Sequence, residues 1–496
     1  MTSSKATAEA MDLSAPGDEA VDARGERAYG SGRIAMLAAA AAQVSSRIGA
    51  TARDVLTGSD DRARAQRNAL FAFTVRVGSA ALLYLTQIAL ARWMGTFEYG
   101  VYVFVWTWVL LLGGFASLGM SVATIRLVSE YKERASFGLL VGLTRRSRMI
   151  AVLVGTLVAL AGAAGVYAFE PWIANYYVLP AYLALVCVPL YALGDVHDGL
   201  GRGHGWMGLG LVPPYILRPL MILAGMVAAH EAGLPMTATT AAICAIVATW
   251  ASAILQLVLM DRQLAGEIPA GAGRDFDTRA WLATAAPLLV IYMCTVVLQN
   301  ADVIIMSSML TPVDVGIYFA AAKTMSLIMF VHYAVGSAVA HRFSALNARG
   351  DRAGLEAFAA DAVRWTFWPS LVAGIVLLAL GQPLLSLFGD QFTTGYPVMF
   401  VLVVGFLVRS IFGPTEFLLN MLGEQSRCAL VLVVTAVLNI VLNLALIPVL
   451  GMMGGAVATM LSLVVSAVLL YVVARQRLGV DMAIWRTKRN AVSEHG

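Results

Sequence analysis

Residues 428–474 read CALVLVVTAVLNIVLNLALIPVLGMMGGAVATMLSLVVSAVLLYVVA, without a single Asp, Glu, Lys or Arg. Gly451 divides the stretch into two runs, 428–450 and 452–474. Coiled as α-helices at 1.5 Å per residue, each run is about 35 Å long, more than the roughly 30 Å of a bilayer's hydrocarbon core. A lipid-exposed segment must satisfy its backbone polar groups internally, which a helix does. The stretch therefore predicts two membrane-spanning helices joined by a one-residue turn.

Working outward, ten further runs of similar character lie at about 69–92, 99–122, 149–169, 176–196, 206–229, 237–260, 281–309, 313–340, 365–388 and 395–422. The expected fold is an all-α integral membrane protein of twelve transmembrane helices. Composition agrees: 59% of the 496 residues are hydrophobic and 13% charged, against about 45–50% and 25% in soluble domains.

The connections between spans differ sharply in charge. Of the 34 Lys and Arg residues, 29 lie in the tails or in alternate connections, and Arg76, Arg92, Arg218, Lys323 and Arg409 lie within spans or at their ends. The other six connections hold none. Basic loops are retained in the cytoplasm during insertion, so both termini are expected there. The net charge of +4 is spread over these loops, which argues against a nucleic-acid face. Cys187, Cys244, Cys294 and Cys428 stand singly in or beside apolar segments, with no C-x-x-C spacing, and read as small apolar residues.

Residues 1–68 form an N-terminal extension: 1–30 have the composition of a disordered segment, and 34–44 that of a short amphipathic surface helix. The polar connection 261–280, with Pro269, Gly271 and Gly273, separates a first lobe at 69–260 from a second at 281–475, and 476–496 form a cytoplasmic tail. A shift of 216 residues carries Gly100-Val101-Tyr102 onto Gly316-Ile317-Tyr318, Met94 onto Leu310, Ser121 onto Ser337 and Arg126 onto Arg342. Six spans per unit make the repeats parallel, with an axis along the membrane normal and a central cavity between the lobes.

The run Ala91-Arg92-Trp93-Met94-Gly95-Thr96-Phe97-Glu98-Tyr99-Gly100-Val101-Tyr102 resembles the signature after the first span of bacterial polysaccharide and O-antigen-type flippases. These belong to the multidrug/oligosaccharidyl-lipid/polysaccharide exporter superfamily. Asn300-Ala301-Asp302, Val315-Gly316-Ile317-Tyr318 and Ala321-Ala322-Lys323 are similar to the second-half counterpart. So is the run from Leu438-Asn439 through Leu442-Asn443 to Ile447-Pro448, followed by Gly451 and Gly454-Gly455-Ala456. The resemblance covers about 69–478. It implies a bacterial inner-membrane protein that moves a polyprenyl-diphosphate-linked oligosaccharide from the cytoplasmic to the periplasmic leaflet. Spans 1, 2, 7 and 8 would then line the cavity. Drug-exporting relatives use an acidic ion site in span 1, where this chain has Arg76 and no acid.

Ionisable groups within spans are the functional signal that needs no resemblance, because each costs about 2.5–3.5 kcal/mol at a helix centre. Arg76, Arg218, Lys323 and Arg409 are the candidate cargo-binding cations, and Asp302 and Glu416 their candidate charge partners. Lys323 and Asp302 sit at similar depth and are expected to pair. Arg409 and Glu416, seven residues apart, are expected on one helix face. Pro213-Pro214 and Pro219 should kink span 5 around Arg218. Asp195, His197 and Asp198 look like a metal cluster but are read as a solvated helix end, and His332 as a hydrogen-bonded core residue. Gly203-His204-Gly205-Trp206-Met207-Gly208 fits a dinucleotide fingerprint, yet it joins two spans and reads as a loop.

The expected partners are a lipid-linked oligosaccharide and membrane lipids, with polysaccharide polymerase and chain-length proteins alongside. No cofactor is expected beyond coupling to the membrane potential or an ion. The alternatives are a cation-coupled multidrug exporter and a membrane polysaccharide polymerase or ligase. The latter would need substantial periplasmic segments, and the uncharged connections are only a few residues long.

Overall fold

A computed structural model describes residues 61–269 and 273–485 of the chain. The surface helix expected at 34–44 lies outside the described residues, as does the side chain of Arg76. Among the described residues every regular element is helical. Eleven helices among the described residues are long and apolar enough to cross a membrane.

The first of them, α1 (Asp61–Ala116), is two crossings in one run. Gly95 takes φ 74 and ψ 174, a backbone conformation outside the helical region that glycine adopts without steric cost. The arms on either side fold back on each other, and the Tyr99 hydroxyl of the second donates to Gln87 Oε1 of the first at 2.9 Å. Counting the arms separately recovers the twelve expected crossings.

The remaining helices are α2 (Met120–Glu133), α3 (Phe137–Phe169), α4 (Asn175–His204), α5 (Met207–Val212), α6 (Arg218–Glu231) and α7 (Ala238–Glu267), followed by α8 (Thr278–Met309) and α9 (Pro312–Ser326). Then come α10 (Met329–Ala348), α11 (Arg352–Ala379), α12 (Gly381–Ser386), α13 (Tyr396–Ile411), α14 (Thr415–Met421), α15 (Gln425–Leu450) and α16 (Met452–Val473).

Three boundaries differ from expectation. The basic connection at 123–148 is almost wholly helical, with only 134–136 between α2 and α3. Span 8 divides into α9 and α10. There Ser326 Oγ donates to the Lys323 carbonyl at 2.8 Å while the Leu327 N–H bonds Thr324, so a tight turn replaces the regular ladder. Span 10 breaks at Gly413, φ +57, before Pro414, and α14 begins beyond it. The kink expected in span 5 is a π-helical turn at Pro213–Leu217, running directly into Arg218.

Packing is densest within two sets of helices. In one, α4 packs with α2, α3 and α7; in the other, α16 packs with α13 and α15, and α8 with α15. The sets cross where the second arm of α1 meets α9. A Cβ on Gly100 would lie 1.8 Å from the Pro312 carbonyl oxygen, and one on Gly316 2.7 Å from that of Thr96. Thr96 and Pro312, like Gly100 and Gly316, are related by the repeat offset, so the crossing is its own image under the repeat. Tyr99 adds edge contacts to Phe319 and Phe392, and Thr96 Oγ1 donates to Gln391 at 2.9 Å. Together these contacts hold the second arm of α1 against α9 and the segment around Gln391 and Phe392.

Candidate functional site

A cavity of about 330 Å³ opens among the helices of the second half. Four of the six charged residues singled out in the sequence line it: Asp302 from α8, Lys323 from α9, Arg409 from α13 and Glu416 from α14. They are brought together from positions up to 114 residues apart, 302 to 416, because the breaks after Ser326 and Ile411 let short helices converge on one space.

Arg409 and Glu416 form a direct pair, Nη2 to Oε2 2.9 Å. They do so across the Gly413 break and not along one helix face as the seven-residue spacing suggested. Asp302 does not pair with Lys323: no ion pair within 4 Å joins them. Its Oδ2 accepts hydrogen bonds from the Tyr318 hydroxyl and from Thr459 Oγ1, the latter at 3.3 Å, and its Oδ1 accepts from the Val303 N–H at 2.8 Å. Lys323 instead places its ammonium 4.8 Å from the centre of the Phe319 ring, a cation–π contact that leaves its donors available to the cavity. A carboxylate saturated by hydroxyl donors, with a lysine nearby but not bound to it, is a different electrostatic object from an ion pair.

Arg218 is not part of this lining. It belongs to the first set of helices, where its guanidinium lies 4.8 Å from the Tyr191 ring and 5.8 Å from Trp106. Of the four candidate cations, Lys323 and Arg409 share this lining, Arg218 lies elsewhere, and the side chain of Arg76 is outside the described residues. Arg92 is exposed and donates to the Leu387 carbonyl at 3.5 Å.

Asp195, His197 and Asp198 are not a solvated helix end. His197 and Asp198 are buried, and Asp198 Oδ2 accepts from Arg202 at 2.7 Å. Packing of α4 against α2 and α7 covers them, which linear spacing from the helix terminus could not show. No cluster of metal-ligating type occurs among the described residues. The Gly203–Gly208 motif is partly helical: α4 continues to His204, whose ring stacks on Trp206 with centroids 4.1 Å apart. Lys132 and Trp206 both donate to Glu267 at 2.9 Å there, so a clasp of α2, α4 and α7 occupies the place where a phosphate loop would need free backbone donors.

Tyr318, Thr459 and Asn439 also face the cavity. Sequence reasoning noted Tyr318 and Asn439 only as family-like positions and missed Thr459. Hydroxyls and amides at single helix positions carry no cost signal comparable to a charge.

Residues 65–346 match the family described as "Polysaccharide biosynthesis protein", more than half of the chain, and residues 287–445 match MatE. The chain belongs to the polysaccharide biosynthesis protein family. A curated relative, "Probable low-salt glycan biosynthesis flippase Agl15" of Haloferax volcanii, is 27% identical over 169 residues. That alignment takes in 34% of this chain and 36% of the relative, so the chain spans about a third of the relative's length.

In three dimensions the chain is similar to an inward-facing multidrug resistance MATE family transporter of the MOP superfamily, with a TM-score of 0.66 and 12% identity over 82% of this chain and 98% of that one. It is also similar to the lipid II flippase MurJ in an inward closed conformation, with a TM-score of 0.64 and 14% identity over 82% and 87% of the two chains. At these identities the likeness shows a shared fold, the one the resemblance led us to expect. The chain is a multi-pass membrane protein.

Proposed function

We propose that this protein flips a polyprenyl-diphosphate-linked oligosaccharide across a bacterial inner membrane, for the synthesis of a cell-surface polysaccharide such as O-antigen, capsule or exopolysaccharide. The observation that carries the reading is the grouping of Lys323 and Arg409 in one cavity within the spans. Arg409 offers a planar fork suited to two phosphate oxygens and Lys323 a mobile point charge. The polar wall of Asn439, Gln299 and Thr459 suits sugar hydroxyls. Arg218, with Tyr191 and Trp106, supplies a second cationic and aromatic surface in the other half, and Arg76 a cation in the first arm of α1. Family membership and the glycan-flippase relative support the same reading.

On this proposal the tails and basic connections face the cytoplasm. An interior-negative potential favours outward movement of a cargo carrying about two negative charges by about 4–5 kcal/mol per 100 mV. Polymerase and chain-length proteins would act on the cargo afterwards. The test is deletion of the gene followed by analysis of lipid-linked oligosaccharides. Accumulation on the inner leaflet, reversed by the wild-type gene, is the expected result, and unchanged distribution would reject the proposal.

A cation-coupled multidrug exporter is the second reading, favoured by the Asp302 carboxylate facing the cavity and by the MatE match over 287–445. It predicts raised drug sensitivity of the deletion strain with normal lipid-linked oligosaccharides.

A further inference from the structure

Behind the Arg409–Glu416 pair lies a second, much smaller space of about 10 Å³, room for a single water. His332, Arg409, Thr415 and Glu416 supply its polar wall. His332 is 2% exposed, and neither ring nitrogen has a hydrogen-bond partner. A buried imidazole always has at least one N–H to donate, and when neutral one lone pair to offer, so both ring nitrogens are open to a partner from this space. Arg409 and Glu416 line both spaces. The ion pair is thus common to the walls of both spaces.

We propose that His332 is a proton acceptor coupled to this pair. When an anionic group in the large cavity draws Arg409 away from Glu416, one proton from the water at the Lys- and Arg-rich end moves onto a His332 ring nitrogen. The proposal rests on the reading of the large cavity as a phosphate site.

The sign follows from the charges that face the ring. From α13 comes Arg409 and from α14 Glu416, with the Phe417 ring 6.3 Å away. From α15, Cys428 stands by both members of the pair. From α16 come only Ala467 and Leu470, and on its own helix Tyr333 meets it edge-on at 6.1 Å. While Arg409 is bound to Glu416, the pair is neutral overall and the guanidinium beside the ring opposes its protonation. Once Arg409 swings to a phosphate, Glu416 is left as an uncompensated anion, which favours the imidazolium. Protonated His332 then takes the place of Arg409 as the partner of Glu416. Anion binding and proton uptake favour each other, and by linkage a lower pH strengthens anion binding.

The experiment uses the purified full chain in nanodiscs with inorganic diphosphate as the probe. Titration calorimetry near pH ~6.5, in buffers of different ionisation enthalpy, counts the protons taken up on binding. Wild type should take up about one proton more per diphosphate than His332→Gln, and the ratio of their affinities should change by up to about tenfold per pH unit. The protonation of diphosphate itself is common to both and cancels. Equal proton counts and parallel pH profiles overturn the proposal. A second measurement needs no ligand: the titration midpoint of His332 by side-chain nitrogen NMR. Arg409→Gln should raise it and Glu416→Gln should lower it, and a midpoint unmoved in both variants also overturns the proposal. Shifted midpoints without any diphosphate binding would support the coupling of His332 to the pair while rejecting the phosphate reading of the large cavity.

Discussion

At the residue scale, Lys323 and Arg409 act on the cavity through different environments. The ammonium of Lys323 rests on an aromatic face, while Arg409 is already spoken for by Glu416 at 2.9 Å. Lys323→Ala should therefore abolish cargo recognition while leaving the hydrogen bonds of Asp302 in place. Arg409→Ala should do so while also leaving Glu416 unpaired, and its loss of stability should be partly relieved by adding Glu416→Gln. A coupling of about 0.5–3 kcal/mol between the two positions is expected, read as non-additivity in melting of the purified variants. Additive effects would show that the pair does no structural work. Asp302 gives a separate test. Because it accepts from Tyr318 and does not touch Lys323, Asp302→Asn with Tyr318→Phe should be no worse for export than the more damaging single change. Export is measured in complemented deletion cells and normalised to membrane protein level. A double variant far below both singles would place Asp302 in some contact other than this one.

At the scale of elements, the crossing of α1 and α9 decides how closely the two sets of helices approach. Gly100 and Gly316 let one backbone lie on the other, as small residues do where membrane helices must meet closely. The clearances are unequal, 1.8 Å at Gly100 and 2.7 Å at Gly316 for an added Cβ, and both meet rigid backbone. Gly100→Ala should therefore be the more destabilising, by upwards of the 1–3 kcal/mol roughly typical of overpacking. Gly316→Ala should fall nearer the lower end. Thermal unfolding in detergent of the two variants checks the order, and equal or reversed losses would contradict the packing. The order cannot be read from the repeat alone, which treats the two glycines as equivalent. What breaks the equivalence is Pro312 opposite Gly100 where Gly316 meets Thr96.

At the scale of the whole molecule, orientation and energetics belong together, because the direction of the electrical driving force depends on which face the basic connections occupy. Reporter fusions at Asn175, Glu231 and Gln391 are expected to report the periplasm, and fusions at Arg146, Arg349 and Arg489 the cytoplasm. A cytoplasmic signal from any of the first three would break the twelve-span arrangement. In proteoliposomes of that orientation, an imposed interior-negative potential should accelerate outward flipping of a diphosphate-linked lipid. Flipping that ignores the potential and requires a sodium or proton gradient would instead indicate obligatory ion coupling.

The positions of the spans, the repeat and the intramembrane charges were all legible in the linear chain. Each rests on a large, local free-energy term: about 20 apolar residues per crossing, and several kcal/mol for every charge placed in hydrocarbon. Even the crossing of Gly100 with Gly316 left a trace, as two short motifs at one offset. The hydrogen-bond partners of Asp302 left none. Asp302 lies 16 residues from Tyr318 and 157 from Thr459, and hydrogen bonds between such positions depend on how helices are rotated against one another, which no local periodicity specifies. The breaks after Ser326 and at Gly413 likewise turn single expected spans into pairs of helices, and so aim Lys323, Arg409 and Glu416 into one space. Membrane insertion is governed by composition along each segment. The site is governed by the azimuth at which each helix faces its neighbours, and only tertiary packing decides that.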